Sequence, residues 1–166
     1  MSDENGLVVC DELLSIVLSV QREFIVSQDA VSAIRMLNQA VTSITGSSAA
    51  FLCHLEDDSE GLTRLKLFDA VHGTSDSRSL GRKLGFYSAG LPLTDIPLPV
   101  TEVLKSGIIK YVNDPEEIRA AGLMPGIEEC QSWAAIPLAP GGNTIGVMII
   151  ADKQGGYDTE MLEKLR

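Results

Sequence analysis

The sequence predicts an α+β domain built on an antiparallel sheet. Toward the end of the chain, two apolar runs rich in β-branched residues, 132–139 and 144–151, are separated by PGGN, a composition typical of a hairpin turn. Earlier, strand-like runs at 49–55 and 62–71 lie on either side of the acidic turn DDSEG. Two stretches with helical spacing of apolar residues precede both hairpins. Helices followed by paired hairpins favour a mixed fold.

The first helix is predicted over 11–27. Its apolar residues form a stripe that is wider than packing against a single neighbouring surface requires. Such a helix can pack on its own domain and on a partner helix at once, although packing within the domain alone would explain the stripe equally well. Residues 1–9, which are acidic near their start, are expected to be disordered and to precede one domain over 10–166. The stripe consists of Leu13, Val17, Val20 and Phe24, with Leu14, Ile16 and Ile25 beside it.

The second helix is predicted over 30–45, and Gly46 suits the left-handed position that commonly follows a helix. After the first hairpin, a polar and aperiodic loop is expected over 73–84. The prolines of 84–99 predict an extended segment that runs over the surface of the sheet like a lid.

Two further helices and an intervening strand complete the pattern. A short helix over 100–105 and a strand over 108–112 lead to a helix start, with Asp114 as N-cap, Pro115 at N1 and Glu117 at N3 of a capping box. Glycines and a proline within 122–126 should end that helix. The last helix, which opens at 158–160, is expected to be the beginning of a longer helix in a larger signalling protein.

Composition excludes several function classes. The 166-residue chain suits one domain, and its net charge of -10 with a pI near 4.5 argues against nucleic acid or an anionic membrane as partner. No apolar run approaches the ~20 residues of a membrane span, and the N-terminus does not resemble a signal peptide. The three cysteines, Cys10, Cys53 and Cys130, form no CxxC pair, which favours reduced thiols in the cytoplasm.

Catalytic and metal-binding patterns are missing from the sequence. Residues at equal distances from the predicted turn of a hairpin pair with each other. This pairing places His54 opposite about Arg64 and far from His72, so the two histidines are not expected to share a metal. Cys53 directly precedes His54, and neighbours on a strand point to opposite faces, which excludes a Cys-His dyad. The glycine pairs are turn glycines, because neither GxxxxGK[ST] nor GxGxxG occurs.

The order of PL, GG, IG and GGYD from residue 137 onward resembles the end of a GAF domain, a small-molecule-sensing module, and especially those of bacterial sensor histidine kinases. The passage SGIIKYVNDPEE is similar to that subfamily's short helix, glycine, strand and Asn-Asp-Pro, and the resemblance extends over about 10–166. It implies a central sheet of about five to six antiparallel strands, with the terminal helices on one face and loops plus short helices on the other.

Specialised GAF domains differ from this chain in particular residues. Free methionine-sulfoxide reductases carry catalytic cysteines in the central loops, whereas 73–126 contains no cysteine. Bilin-binding members attach the pigment through a cysteine usually followed by histidine, but Cys130 is followed by glutamine. Cyclic-nucleotide-binding members end in an Asn-Lys, Phe and Asp-Glu signature, and Met161 and Leu162 stand where its acidic pair would fall. We therefore expect the remaining residues of this pattern to fix a strand-to-helix corner. These residues are Asp152, Lys153 and Tyr157.

A ligand would lie on the sheet face opposite the terminal helices. Strand alternation sorts six odd-numbered residues into three pairs, each pair sharing a face of its own strand, and the resemblance implies that all three pairs lie on the side of the pocket, although the same residues could be ordinary core. Trp133, the single tryptophan, precedes two alanines and could form an apolar pocket with one polar handle. The candidate ligand-binding residues are Phe51, Cys53, Trp133, Ala135, Val147 and Ile149.

Three functions are therefore considered. The first is a non-catalytic sensory module of a bacterial signalling protein, such as a histidine kinase or a diguanylate cyclase, that binds an unknown small molecule and moves its terminal helices. The second is a packed, ligand-free module that dimerises and relays motion. The third, an enzyme of the reductase type, lacks the necessary cysteines. A homodimer through the terminal helices is expected, with no cofactor, metal, nucleic acid or direct membrane contact.

Overall fold

The computed structural model describes residues 3–72, 90–121 and 130–165, with the backbone alone for 3–13 and 72. Six strands form one antiparallel sheet in the order β3-β2-β1-β6-β5-β4, which confirms the predicted α+β class. The strands are β1 (Ala49–Asp57), β2 (Thr63–His72), β3 (Leu91–Pro92), β4 (Lys110–Val112), β5 (Trp133–Leu138) and β6 (Gly146–Ala151).

Helices precede, interrupt and follow the strands. The described helices are α1 (Asp3–Ser27), α2 (Ala30–Thr45), α3 (Leu98–Ser106), α4 (Pro115–Ala120) and α5 (Thr159–Glu163). The backbone of α1 begins at Asp3 rather than at residue 11, so it covers most of the segment 1–9 for which the sequence suggests disorder.

Both ends of α2 are capped, and Gly46 takes the position that the sequence predicts. Asp29 has an extended backbone and accepts a hydrogen bond from the N–H of Val31 at 3.0 Å. Gly46 ends the helix with a φ of 68°, and its N–H donates to the carbonyl oxygen of Thr42. A residue with a side chain would be strained in this left-handed conformation.

The turn of the first hairpin is centred one residue later along the chain than in the strand pairing that was predicted from the sequence. Asp58 fixes it, because its carboxylate accepts hydrogen bonds from the N–H groups of Glu60 and Leu62. His54 therefore lies opposite Lys66, and the prediction that it lies opposite Arg64 is wrong.

A β-bulge interrupts the β1–β2 pairing between Leu52 and Cys53. Across from it, the buried Asp69 accepts a hydrogen bond from Asn38 Nδ2 at 3.0 Å, and Arg35 Nη2 lies 3.6 Å from its other carboxylate oxygen. This cluster ties α2 to β2 through polar contacts within an otherwise apolar interface.

The proline-rich segment is less extended than expected. Leu91 and Pro92 pair with β2 as an edge strand, where a missing N–H is tolerated. α3 then begins at Leu98 and includes Pro99 in its first turn, so the expectation of an extended path through Pro99 is wrong. Proline fits there because the first N–H groups of a helix have no intrahelical partner. The expected loop over 73–84, residues 84–89 and the helix end at 122–126 lie outside the described residues.

The two faces of the sheet are covered differently, as the resemblance implies. On one face, Ala134, Ile136, Met148 and Ile150 pack against α2 and α5. The opposite face packs against the short helices through Val100, Val103 and Leu104 of α3 and Ile118 of α4. The terminal helices thus lie on the face that the short helices do not cover.

α1 lies against α2 and leaves a broad apolar surface in solvent. Its half-buried residues Ile16, Val20 and Glu23 recur at steps of four and three, which puts them on one side of the helix. Five large apolar side chains, between 45% and 73% exposed, form a separate stripe with heptad spacing. We call these residues the α1 stripe: Leu14, Val17, Leu18, Phe24 and Ile25.

Candidate functional site

The six candidate ligand-binding residues lie together on the sheet face that carries α3 and α4. Across three neighbouring strands, Ala135 lies opposite Ile149, and Ile149 lies opposite Phe51. Two residues further along the paired strands β1 and β6, Cys53 lies opposite Val147. This arrangement follows from strand alternation, because residues two apart on paired strands share one face.

These residues are covered by the domain's own side chains. Each is at most 2% exposed, and they belong to one apolar cluster with residues of α3 and α4. Five of the six contribute to no described cavity wall, and Trp133 is the exception. The candidates are Phe51, Cys53, Trp133, Ala135, Val147 and Ile149.

Trp133 lines a cleft of about 360 Å³ between α3, β4 and α4. We call it the Trp133 cleft. Its apolar wall contains Pro99, Ile109, Val112 and Ala121. Of the described part of the proline-rich segment, only Pro99 contributes to the lining of the cleft.

The indole N–H of Trp133 is buried without a hydrogen-bond partner among the described residues. The ring itself is fully buried, with 0% exposure. An indole nitrogen can only donate, and a buried donor without an acceptor costs about 1–3 kcal/mol relative to one that is satisfied. Because no part of the ring is exposed, the indole N–H is sealed off from the open space of the cleft.

Charged side chains surround the cleft entrance. Lys110 on β4 forms an ion pair with Glu102 on α3. Glu117 on α4 also lines the cleft and is exposed. Nothing in the local sequence indicates that Lys110, Tyr111 and Glu117 line one cleft, because they meet only through the packing of α3, β4 and α4.

The residues expected at the strand-to-helix corner connect β6 to its surroundings. Asp152 adopts a φ of 57°, and its carboxylate accepts a hydrogen bond from the N–H of Gln131 at 2.7 Å. The N–H of Lys153 donates to Ser132 Oγ at 3.1 Å. The hydroxyl of Tyr157 lies 2.8 Å from Ser47 Oγ at the end of α2, and burial raises the pKa of this phenol.

The corner also depends on Asn113, whose role the sequence patterns did not reveal. Its side chain makes two hydrogen bonds to the backbone of Tyr157, at 2.8 and 2.9 Å. The Asn-Asp-Pro passage marks only the helix start, where Asp114 accepts from the N–H of Glu116. The two partners lie 44 positions apart, so local spacing could not connect them.

No metal-binding arrangement occurs in the part of the chain that the structure describes. No three histidine, cysteine or acidic residues there could hold a metal ion. His54 lies 3.3 Å from Glu56, and Cys53 is buried on the other face of the same strand. Burial raises the pKa of the Cys53 thiol to about 12, which leaves it protonated near neutral pH. None of the described helices combines the length and apolar character required to cross a membrane.

Comparisons with known proteins agree with the architecture. The chain is similar to the GAF domain of an Acinetobacter phosphoenolpyruvate-protein phosphotransferase, with a TM-score of 0.69 at 17% identity over 99% of this chain and 86% of that one. It is also similar to residues 122 to 287 of a methyl-accepting chemotaxis protein, with a TM-score of 0.63 at 16% identity over 90% and 87% of the two chains.

A third similar structure is an enzyme. The type II free methionine-R-sulfoxide reductase of Thermoplasma acidophilum matches with a TM-score of 0.57 at 19% identity, over 81% of this chain and 84% of that one. Identities this low establish a shared fold only. No curated protein sequence matches significantly. The GAF domain family model matches residues 11–166, and the chain therefore belongs to the GAF domain family.

Proposed function

We propose that this GAF domain is a non-catalytic sensory module of a bacterial signalling protein. In this proposal a small molecule occupies the Trp133 cleft, and its presence changes how the terminal helices pack. The observation that carries the proposal is the alternation of β5. Trp133 and Ala135 belong to the cleft-side cluster, whereas Ala134 and Ile136 belong to the cluster that contacts α2 and α5.

Strand β5 offers a short physical path between the two sides. A displacement of the Trp133 ring would move the backbone that also positions Ala134 and Ile136. Close-packed interiors transmit such shifts because they contain few voids that could absorb them. A ligand that fits only one packing of the cluster would then shift the population of helix arrangements.

The output of this shift is proposed to be a dimer formed through the α1 stripe. The stripe has about half of its apolar surface still in solvent, and burying the stripes of two copies would contribute on the order of 10 kcal/mol. That gain is comparable to the ordering cost of association, estimated at about 4–15 kcal/mol. A weak dimer is therefore expected, in which changes at α2 can alter the position of α1.

A ligand-free relay module is the second candidate. All six residues expected to bind a ligand are sealed in the core, and this observation favours a packed interior. In that case the α1 stripe would still form a dimer, and motion would enter through neighbouring domains rather than through the cleft.

A reductase activity is disfavoured by the chemistry of Cys53. Thiol chemistry requires a thiolate, and the raised pKa of this buried thiol opposes its formation. The similarity to a sulfoxide reductase extends to the fold only. A histidine kinase or a diguanylate cyclase as the parent protein rests on the sequence resemblance, while similar domains occur in a phosphotransferase and a chemotaxis protein.

Native mass spectrometry of the purified protein tests the proposal. The expected spectrum shows a dimer in which each subunit retains a small molecule that organic solvent releases. A dimer with no added mass would favour the ligand-free relay module. A monomer with no added mass, at high micromolar concentration, would contradict both candidates.

A further inference from the structure

We propose that an apolar groove beside α1 receives Leu18 of the partner subunit in a parallel dimer. This inference rests on the proposed function, because it specifies how the two copies of the proposed dimer fit together. It combines three features of the described residues: a groove that opens beside the α1 stripe, the limited area of the stripe itself, and the positions of Val17 and Leu18 around α1.

The groove lies between the terminal helices and the sheet, and its volume is about 320 Å³. We call it the helix groove. Apolar side chains from α1, α2, β5, β6 and the end of the described chain form its wall, and Lys164 is the charged residue of the described lining. Because this lysine is itself exposed, an apolar side chain inside the groove would contact mainly hydrocarbon. The wall includes Ile16, Val17, Ala40, Met148 and Leu165.

The helix groove is continuous with the α1 stripe. Val17 belongs to both, and it is 45% exposed, so the groove reaches the protein surface where the stripe begins. A partner helix that covers the stripe would therefore also cover the open side of the groove. A second copy of this chain is the occupant that this continuity favours.

The area of the interface gives a second reason to include the groove. The α1 stripe alone offers an apolar gain that is only comparable to the ordering cost of association. In a two-fold dimer, a contact made once is made twice. A leucine inserted into the groove of each copy would add buried apolar area at two places, which is what a marginal interface needs.

The positions of Val17 and Leu18 match a parallel orientation. Successive residues of an α-helix are about 100° apart, so these two side chains lie on opposite flanks of the stripe. A two-fold axis parallel to α1 brings the Leu18 flank of one copy against the Val17 flank of the other. An axis perpendicular to α1 brings like flanks together and separates each Leu18 from the other groove.

The heights of these residues along α1 also agree. In a parallel pair about a two-fold axis, equal positions of the two helices lie side by side. Helical side chains lean toward the N-terminus, so Leu18 covers the surface at about the level of Val17. Leu18 of the partner subunit therefore reaches the groove at the level of its α1 wall.

The walls of the groove connect this contact to the proposed relay. Ile136 of β5 lines the groove and belongs to the apolar cluster that contacts α2 and α5. A movement of β5 or α2 would change the width of the groove and with it the affinity between two copies. The groove would thus make dimerisation sensitive to the packing of the sheet against the terminal helices.

A groove-filling variant tests the contact without changing the α1 stripe. Ala40 is half-buried in the groove wall, and Ala40→Leu supplies from within the side chain that the partner would insert. Sedimentation should show a dimer weakened by at least about tenfold, the loss expected for the burial of a leucine. Gln39→Leu adds the same side chain at an exposed position outside the described lining and should leave the dimer unchanged.

A combined variant shows whether Ala40 and Leu18 of the partner subunit act on one contact. Leu18→Ala should also weaken the dimer, because it removes most of the inserted side chain. Ala40→Leu together with Leu18→Ala should weaken the dimer no further than the stronger single effect, since both changes remove the same interaction. Additive losses would show that the two residues act independently and would overturn the proposed contact.

Cross-linking tests the orientation independently of the groove-filling variant. Val17→Cys protein is mixed with ¹⁵N-labelled Leu18→Cys protein, both carrying Cys10→Ser because Cys10 also lies on α1. The other two cysteines are buried. After treatment with a short bismaleimide, mass spectrometry should find mainly pairs that join one labelled and one unlabelled chain. Pairs of like chains as the main product would indicate an antiparallel dimer and would overturn the proposal.

The outcomes separate this inference from the proposed function. If the unmodified protein forms a dimer that Ala40→Leu does not weaken, the groove is not part of the interface and remains open to a small apolar molecule, while the proposed dimer stands. If the unmodified protein is a monomer at high micromolar concentration, both the groove contact and the proposed dimer are wrong. If Ala40→Leu does not fold, the cross-linked pairs still decide the proposal.

Discussion

The carboxamide of Asn113 binds the backbone of Tyr157 on both sides of the residue. Nδ2 donates to the carbonyl oxygen at 2.9 Å, and Oδ1 accepts from the N–H at 2.8 Å. Gly156 allows this approach, because a Cβ at that position would lie 2.6 Å from Asn113 Cγ. The contact joins the end of β4, beside the Trp133 cleft, to the segment that leads into α5.

Replacement of Asn113 by alanine should destabilise the domain, because it removes both hydrogen bonds. At about 0.5–1.5 kcal/mol for each bond, the free energy of unfolding should fall by about 1–3 kcal/mol. Thermal denaturation should then show a Tm lower by several degrees. Asn143→Ala, at an exposed position in the hairpin turn, is the matched control and should change the Tm little. Equal effects of the two variants would mean that the Tyr157 contact contributes nothing.

Gly146 lets β6 and β1 approach closely, and Gly146→Ala should be severely destabilising. The added Cβ would collide with the backbone carbonyl oxygen of Cys53, which cannot move without breaking strand pairing. We expect a loss of roughly 3 kcal/mol or more, since overpacking costs about 1–3 kcal/mol even where flexible side chains can adjust. Chemical denaturation or the yield of folded protein measures this loss.

Gly61→Ala separates steric collision from backbone strain. Gly61 has a φ of 76°, and among the described residues beyond its two chain neighbours no heavy atom lies within 4 Å of the position that a Cβ would occupy. Its replacement should cost only about 1 kcal/mol, from the left-handed backbone. A Gly146→Ala protein as stable as Gly61→Ala would show that the strands can separate without penalty.

Sequence periodicity was sufficient to predict which residues of one strand share a face. Phe51 shares a face with Cys53, and Trp133 with Ala135, because side chains alternate along each strand whatever its partner strands are. The C-terminal cap of α2 was equally predictable, since Gly46 satisfies a backbone group within its own turn. These features depend on neighbours in sequence.

Features that composition and alternation do not determine were wrong or missed. The centre of the first hairpin depends on two hydrogen bonds that the Asp58 carboxylate accepts from nearby N–H groups, which composition alone does not reveal. The proline-rich segment turns into α3 because proline suits a first helical turn as well as an extended chain. Whether Trp133 faces a cleft or solid core depends on the positions of α3 and α4, and strand alternation does not determine these.

The buried thiol of Cys53 predicts a loss of stability at alkaline pH. Burial raises its pKa from 9.0 to about 12, so between these values the unfolded chain releases a proton that the folded domain retains. Its contribution to stability is complete below pH 9 and decreases as the pH rises, by up to about 1.4 kcal/mol per pH unit. Urea denaturation from pH 8 upward should show this slope.

The matching variant is Cys53→Ala, which cannot titrate at this position. Its stability at pH 8 can differ because a small cavity forms, but its decline above pH 9 should be shallower by about 1.4 kcal/mol per pH unit. The difference between the slopes is the measured quantity, so an offset in stability does not affect it. Parallel slopes would indicate that the thiol ionises equally well in the folded domain.

The α1 stripe should control the oligomeric state. Leu18 and Ile25 are 56% and 73% exposed and lie within the stripe, whereas Val20 is half-buried on the side toward α2. Leu18→Glu with Ile25→Glu places charges in the proposed dimer interface and leaves the packing of α1 on α2 unchanged. We expect this double variant to remain folded and to sediment as a monomer at concentrations where the unmodified protein forms a dimer.

Ser19→Glu with Val26→Glu is the matched control for this variant. It adds the same charge at the same spacing, but on exposed positions one residue further along α1 and outside the stripe. Circular dichroism should be the same for both variants, and only the stripe variant should lose the concentration-dependent increase in sedimentation coefficient. Two results would show that the α1 stripe is not the dimer interface: a monomeric unmodified protein at high micromolar concentration, or equal dissociation of both variants. The proposed relay through a dimer would then have no interface.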